Sequence, residues 1–205
     1  MNDLSRVATR KESGVFVREL KESELFLYDG IPMIVNIKSE LVPERLSPPF
    51  RFGERALLPC QKDLGKYFSA RRDAKIFGQK NRAFFLAETG GAPAGGAFLI
   101  WRTEGIRMLE GRNDLCVLWD LRVDEKFRRQ GVGTALFRAA AERARAEGLK
   151  EMKIESQNNN LAAYRFYLRQ NAVLTEINAG VYGEEECKEE LQFLWKYSLK
   201  SGEYI

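Results

Sequence analysis

Hydrophobic and polar positions along this chain organise most clearly around one stretch that reads as strand, glycine loop, helix and strand. Residues 115–123, Leu-Cys-Val-Leu-Trp-Asp-Leu-Arg-Val, are apolar and β-branched enough to predict a strand inside a sheet. Residues 134–146 are almost wholly strong helix formers, and Gly148 stands where a helix ends. Between them, Arg128-Arg129-Gln130-Gly131-Val132-Gly133-Thr134 crowds two glycines and two cations into the last turn before the helix. Residues 150–156 alternate polar and apolar, predicting a strand with Met152 and Ile154 on one side. Strand, helix and strand in this order make a right-handed crossover with the two strands parallel.

The flanking patterns are weaker. Residues 83–88 and 97–101 read as two strands joined by a turn over 89–96. Upstream, 15–20 and 25–28 are short β-like runs, Asp29-Gly30 is a turn signal, and 33–38 continues as a strand that Pro32 places at an edge. Pro43, Pro48 and Pro49 mark an irregular crossing over 41–53, a candidate roof for a site. The segment 57–72 reads as helical at its end, through Leu64, Tyr67 and Phe68, and runs into a basic turn over 71–80. Downstream, Asn158-Asn159-Asn160 precedes an apolar helical run, and Asn at a helix start caps free N–H groups. A short strand at 173–177, an acidic loop (Glu184, Glu185, Glu186, Glu189, Glu190) and an aromatic terminal strand within 191–199 complete the pattern.

Composition narrows the chemistry. A length of 205 residues with 44% hydrophobic content suits a single domain over 1–205. The net charge of +4 is scattered, which gives no footprint for nucleic acid and fits an anionic cofactor equally well. The sequence holds no histidine, which removes the commonest metal ligand and the commonest general base together. Cys60, Cys116 and Cys187 lie far apart with no CxxC pair, so neither a metal site nor a disulfide framework is expected, and a reducing cytoplasm is the default compartment. Cys116 reads as a small buried apolar residue at the start of the central strand, with a reactive thiol as the alternative. Residues 1–12 lack the apolar core of a secretory signal, and no apolar run is long enough to span a bilayer, so no membrane partner is expected.

A glycine loop feeding a helix N-terminus points backbone N–H groups outward with the positive end of the helix dipole behind them, a site for phosphate oxygens. The loop does not spell a Walker sequence. Leu136 occupies the position where a dinucleotide fingerprint needs its third small residue. An ordinary β-turn-α junction with a cationic rim is the competing reading. Arg-x-x-Gly-x-Gly-Thr after a buried strand resembles the pyrophosphate loop of the GNAT superfamily of acyl-CoA N-acyltransferases. The stretch Asn160-x-x-Ala163-x-x-Phe166-Tyr167 resembles that superfamily's second signature, with Asn171-Ala172 where its members usually have Gly-Phe. Residues 154–163, Ile-Glu-Ser-Gln-Asn-Asn-Asn-Leu-Ala-Ala, are similar to a segment of the streptothricin acetyltransferases, as is the approach from Leu121 to Arg128.

The resemblance implies an α/β (α+β) GNAT fold: a mixed central sheet of about six to seven strands, helices on both faces and splayed parallel central strands at the acetyl-CoA site. It implies a substrate-side part over 1–80 and a cofactor-binding core over 83–199. Acetyl-CoA would be the co-substrate, with no metal. Arg128, Arg129, Gln130, Gly131, Val132, Gly133 and Thr134 would line the diphosphate. Leu121, Arg122 and Val123 would serve pantetheine, and Asn160, Ala163 and Tyr167 would complete the cofactor set.

Acetyl transfer to an amine needs placement, a base and a proton for the departing thiolate. Tyr167 matches the family tyrosine near the sulfur; a core tyrosine sharing one helical face with Ala163 and Phe166 is the competing reading. Asp120 and Glu155 are the two candidate bases, with an internal Asp120–Arg122 pair as the alternative for the former. The leading expectation is direct transfer from acetyl-CoA to a primary amine of a small cationic molecule, a streptothricin-like antibiotic, and hence a part in antibiotic resistance. The acidic loop would attract such a molecule, although solvated loop charge is the more frequent meaning of such a run. One departure is Trp119, where those relatives are expected to carry Glu. Alternatives are acetylation of a protein N-terminus or lysine, and a non-catalytic acyl-CoA sensor. A homodimer is left open.

Overall fold

A strand must place its apolar side chains on one or both faces of a sheet, and the central run 115–123 does so from its first residue. The computed structural model describes residues 14–78, 80–183 and 189–200. It divides the chain into two compact units: the described parts of Met1–Ile34, Asp63–Met152 and Leu199–Ile205, and those of Val35–Lys62 and Lys153–Ser198.

The first unit is built on an antiparallel ladder in the order β1 (Val15–Glu19), β4 (Arg82–Thr89), β5 (Ala92–Trp101) and β6 (Leu115–Val123). Between β1 and β4 the chain forms α1 (Leu25–Asp29) and α2 (Ala70–Ile76), and after β6 comes α3 (Val132–Ala146). Two adjacent glycines on β5 show that both faces of this ladder are covered. A Cβ at Gly96 would meet the Tyr28 ring of α1 at 2.5 Å, whereas a Cβ at Gly95 would meet Val132 and Leu136 of α3 at 2.9 and 3.0 Å. Neighbouring residues of a strand point to opposite faces, so α1 and α3 lie on opposite sides, and each packs too close for a methyl group. On the α1 side the core is aromatic: Phe84 and Phe98 stack at 4.0 Å, with the Tyr28 ring edge-on to Phe84 at 5.6 Å. Cys116 is fully buried, as expected, and its Sγ donates to the Glu151 carbonyl at 3.4 Å.

The second unit holds the antiparallel pair β2 (Ile34–Pro43) and β3 (Phe52–Asp63), whose end residues Ile34 and Asp63 belong to the first unit. It also holds most of β7 (Glu151–Gln157), then α4 (Leu161–Arg169), β8 (Val173–Asn178) and β9 (Gln192–Ser198), with the strands in the order β7-β9-β8. One side of β9 carries Phe193 and Trp195. Phe193 lies 5.4 Å from Phe52, and Trp195 lies 5.3 and 5.9 Å from Tyr164 and Tyr167 of α4.

Four local expectations are corrected. Residues 25–28 are helical, because the carboxylate of Glu24 accepts from the Lys21 N–H at 2.9 Å and a 3-10 turn over Glu22–Glu24 starts the coil. The irregular crossing over 41–53 shrinks to residues 44–51, because β2 runs on to Pro43 and β3 begins at Phe52. Residues 57–63 belong to β3 and the helical end expected of that segment is present as a 3-10 turn over Leu64–Tyr67, but the supposed basic turn over 71–80 contains most of α2, capped by the Ser69 side chain. β3 is exposed along most of its length, so it has no apolar alternation to display, and an exposed strand tolerates Pro59. The hairpin turn narrows to Gly90 and Gly91, since β5 starts at Ala92.

Candidate active site

In the first unit the end of β6 passes into a 3-10 turn, Glu125–Phe127, and then into the glycine loop. Arg129 and Gly131 adopt left-handed backbone, at φ 66° and 86°. Gly131 is the N-cap of α3 and supplies no side-chain acceptor. The first helical bond runs from the Ala135 N–H to the Gly131 carbonyl at 2.9 Å, so the N–H groups ahead of it lie at the positive end of a fifteen-residue helix. This geometry suits phosphate oxygens.

The side chains of the loop divide their work. Arg128 faces inward: its Nε donates to the Val123 carbonyl at 3.3 Å, its Nη2 to the Ile34 carbonyl, and it pairs with Glu125 at 3.7 Å. Gln130 donates to the Lys126 carbonyl at 3.0 Å. Arg129 is exposed, and its side chain has no hydrogen bond or ion pair among the described residues. Val132 is buried against Gly95, while Gly133, Thr134, Leu121 and Val123 are half-buried.

Asp120 and Arg122 sit in the α1-facing core. One oxygen of Asp120, Oδ2, accepts from the Tyr28 hydroxyl at 2.6 Å and from Arg122 Nε at 2.7 Å. The guanidinium lies over the Tyr28 and Phe68 rings at 5.1 and 5.2 Å and donates through Nη1 to the Ile31 carbonyl at 3.2 Å. Its Nη2 is buried without a hydrogen-bond partner. Burial acts to lower the pKa of Arg122, and Asp120, with Tyr28 and Asp29, offsets it, so the net direction is upward. Burial, and next the charge of Asp120, push the Tyr28 hydroxyl well up. The internal Asp120–Arg122 pair is therefore present. The Arg122 side chain points into this core, so only its main chain is available to a ligand along β6.

Trp119 is the odd residue of β6. The β5–β6 register pairs Phe98 with Asp120 and Leu99 with Leu118, leaving Trp119 as the extra residue of a bulge. It is 38% exposed and meets Phe77 edge-on at 5.0 Å.

In the second unit the three asparagines have separate tasks. Asn158 is buried: its Nδ2 donates to Glu40 Oε2 at 3.0 Å and to the Leu41 carbonyl at 3.2 Å, and its Oδ1 accepts from the Leu191 N–H at 2.9 Å. Asn159 donates to Glu190 at 2.9 Å. Asn160 caps α4, its Oδ1 accepting from the Ala163 N–H at 3.1 Å. The helix closes through Asn171 at φ 61°, a left-handed position that Asn adopts more readily than any residue but glycine. Tyr167 is buried, its ring 5.3 Å from Phe166 and 5.9 Å from Trp195.

Glu155 lies among neutral donors. Its Oε1 accepts from the Tyr182 hydroxyl at 3.0 Å and its Oε2 from Gln192 Nε2 at 2.7 Å. Burial raises its pKa and the two donors lower it, with a net rise. Burial and the adjoining Glu155 push Tyr182 well above the ordinary phenol value. Nothing in the sequence singled out Tyr182 or Gln192; each lies at least 27 residues from Glu155, and only the folding of β8 and β9 brings them to it. Of the acidic loop, Glu184, Glu185 and Glu186 lie outside the described residues, as does Cys187, and Glu190 is buried in an ion pair with Lys62 at 2.6 Å. Among the described residues no group of three or more metal-ligating side chains occurs, and no helix is long and apolar enough to cross a membrane.

The sequence is 26% identical over 94 residues to streptothricin acetyltransferase A of Bacillus subtilis (strain 168), a match that covers 46% of this chain and only about half, 54%, of that relative. The fold is shared with a putative streptothricin acetyltransferase from Bacillus anthracis str. Ames, solved in complex with acetyl coenzyme A: TM-score 0.74 and 22% identity, covering 90% of this chain and 99% of that one. It is shared also with a nourseothricin acetyltransferase, at TM-score 0.72 and 18% identity over 91% and 99% of the two chains. The model of the acetyltransferase (GNAT) family matches residues 48–172, which include β6, the glycine loop, α3, β7 and α4. The chain belongs to the acetyltransferase (GNAT) family.

Proposed function

We propose that this protein is an N-acetyltransferase that moves the acetyl group of acetyl-CoA directly to a primary amine of a small cationic molecule, with a streptothricin-like antibiotic as the leading acceptor. The observation that carries the reading is the start of α3: a left-handed Gly131 without a side-chain cap, following β6 inside the region that matches the family. Uncapped N–H groups at the positive end of a long helix, with the exposed Arg129 beside them, fit the diphosphate of acetyl-CoA. The main-chain groups of Arg129, Gln130, Gly131, Val132, Gly133 and Thr134 hold that diphosphate, while Arg128 braces the loop through carbonyl groups. Leu121, Val123 and the main chain of Arg122 serve the pantetheine arm, and Asn160 and Ala163 set the start of α4.

The bound thioester supplies the acetyl group; the protein supplies orientation and proton transfer. Tyr167 donates a proton to the departing sulfur, and Glu155 takes one from the acceptor nitrogen. Asp120 is better suited to holding Arg122 in the core than to accepting a proton, because its Oδ2 already receives two hydrogen bonds, one from a cation. Residues 1–205 act as one catalytic domain in the cytoplasm, where acetyl-CoA is available.

Mass spectrometry of streptothricin after incubation with the protein and acetyl-CoA tests the reading. One added acetyl group on the β-lysine arm is expected, with a loss of about 100-fold or more in rate for Tyr167→Phe. Tight acetyl-CoA binding without a gain in mass would remove streptothricin as the acceptor. No binding at all would reject acetyl transfer.

A further inference from the structure

This inference rests on the acetyl-transfer reading and concerns how its base is built. The buried carboxylates among the described residues have cations beside them. Asp120 has Arg122 at 2.7 Å, Asp73 has Arg72 at 2.9 Å, and Glu190 has Lys62 at 2.6 Å. Two further, largely covered carboxylates follow the same rule, Glu40 with Arg55 at 2.5 Å and Asp29 with Arg71 at 2.7 Å. Glu155 does not. Among the described residues no Lys or Arg pairs with it, and its two oxygens are taken one each by Tyr182 and Gln192.

The donors are themselves fixed. Asn178 and Gln192 face each other across the β8–β9 ladder, and Asn178 Nδ2 donates to Gln192 Oε1 at 3.1 Å. That bond sets the amide so that Nε2 points at Glu155 Oε2, 2.7 Å away. The Gln157 side chain, two residues beyond Glu155 on β7, acts on Tyr182 in the opposite direction to Glu155 and favours its ionised form. Among the described residues, Glu190 acts on Tyr182 through its charge, and Lys153, two residues before Glu155 on β7, lies 4.0 Å from Glu176. A carboxylate aimed by neutral donors keeps an affinity for protons that a guanidinium or ammonium partner would remove. Burial keeps Tyr182 protonated, so it stays a donor throughout the neutral range.

We propose that Tyr182 and Gln192 are positioning residues that aim Glu155 as the base of the reaction. Glu155 takes one proton from the acceptor ammonium, and the freed lone pair forms the N–C bond as the C–S bond breaks. Tyr167 protonates the departing thiolate, its phenolate regains a proton from the nitrogen, and the one net proton leaves through Glu155 to solvent.

The test is the pH dependence of kcat/KM for the wild-type protein, Tyr182→Phe and Gln192→Leu, with Glu155→Gln as the reference for loss of the base. Each positioning variant removes a hydrogen bond that favours the charged carboxylate. The acidic limb should therefore move upward by about one pH unit, with kcat reduced more than KM is raised. A merely structural role would lower the amount of active protein and leave the limb in place, and an unmoved limb in both active variants overturns the proposal. Carbon-13 NMR titration of the Glu155 carboxyl gives a second readout in the free protein, where the same upward move is expected. An unchanged carboxyl titration also overturns it. Absence of acetyl transfer by the wild-type protein would reject the activity on which the proposal rests; the NMR readout tells the two failures apart.

Discussion

Asp120 meets a guanidinium at 2.7 Å, whereas Glu155 meets a phenol and an amide. At the scale of single residues the proposed division of work between the two carboxylates rests on this difference. The side chains of Asp120 and Arg122 are 4% and 2% exposed, so neither charge has water to fall back on. Replacing one partner of such a pair leaves the other as an uncompensated buried charge, and here Arg122 already has an unpaired Nη2. Asp120→Asn should cost about 3–5 kcal/mol of folding stability. Urea unfolding of the two proteins measures it. If the variant instead keeps its stability and loses turnover per folded molecule, Asp120 is acting as the base and the roles given to the two carboxylates are reversed.

At the scale of elements, the junction of β6 and α3 depends on a backbone shape that one residue type adopts freely. Gly131 has φ 86° and ψ −6°, a left-handed conformation that costs an L-residue about 1–2 kcal/mol. Val at this position would strain the loop or turn its N–H groups away. Gly131→Val should weaken acetyl-CoA binding by about tenfold or more, by the same 1–2 kcal/mol of backbone cost. Isothermal titration calorimetry checks this, and unchanged affinity would remove the loop from the diphosphate site. This junction was legible in the sequence, because strand, glycines and helix formers stand in order and the strand bounds needed no change. Asn160 and Asn171 were legible for the same reason: capping and left-handed turns are local chemistry. Residues 25–29 were not, because a short apolar run fits helix and strand alike, and the choice falls to Glu24 and to the glycine at 96 that admits Tyr28. β3 was hidden by exposure, and Tyr182 and Gln192 by distance along the chain.

At the scale of the whole molecule, a net charge of +4 spread over 205 residues is a weak field, so attraction for an anionic cofactor has to come from a few groups near the loop. Among the loop cations, Arg128 is turned inward to carbonyl groups, and Arg129 projects outward. The helix N-terminus adds a partial charge that acts only within its first turn. Exposed interactions of this kind are screened as the Debye length falls from about 10 Å at 0.1 M salt to about 3 Å at 1 M. Acetyl-CoA affinity should therefore fall several-fold over roughly that range, with kcat at saturation nearly constant, because the phosphates take no part in the chemistry at the thioester. Acetyl-pantetheine, which carries the thioester without the phosphates, should bind weakly with almost no salt dependence. Arg129→Ala should flatten the salt dependence for acetyl-CoA and leave that for acetyl-pantetheine as it was. Equal salt sensitivity of the two thioesters would mean that the cofactor is held by something other than the cationic loop and the start of α3.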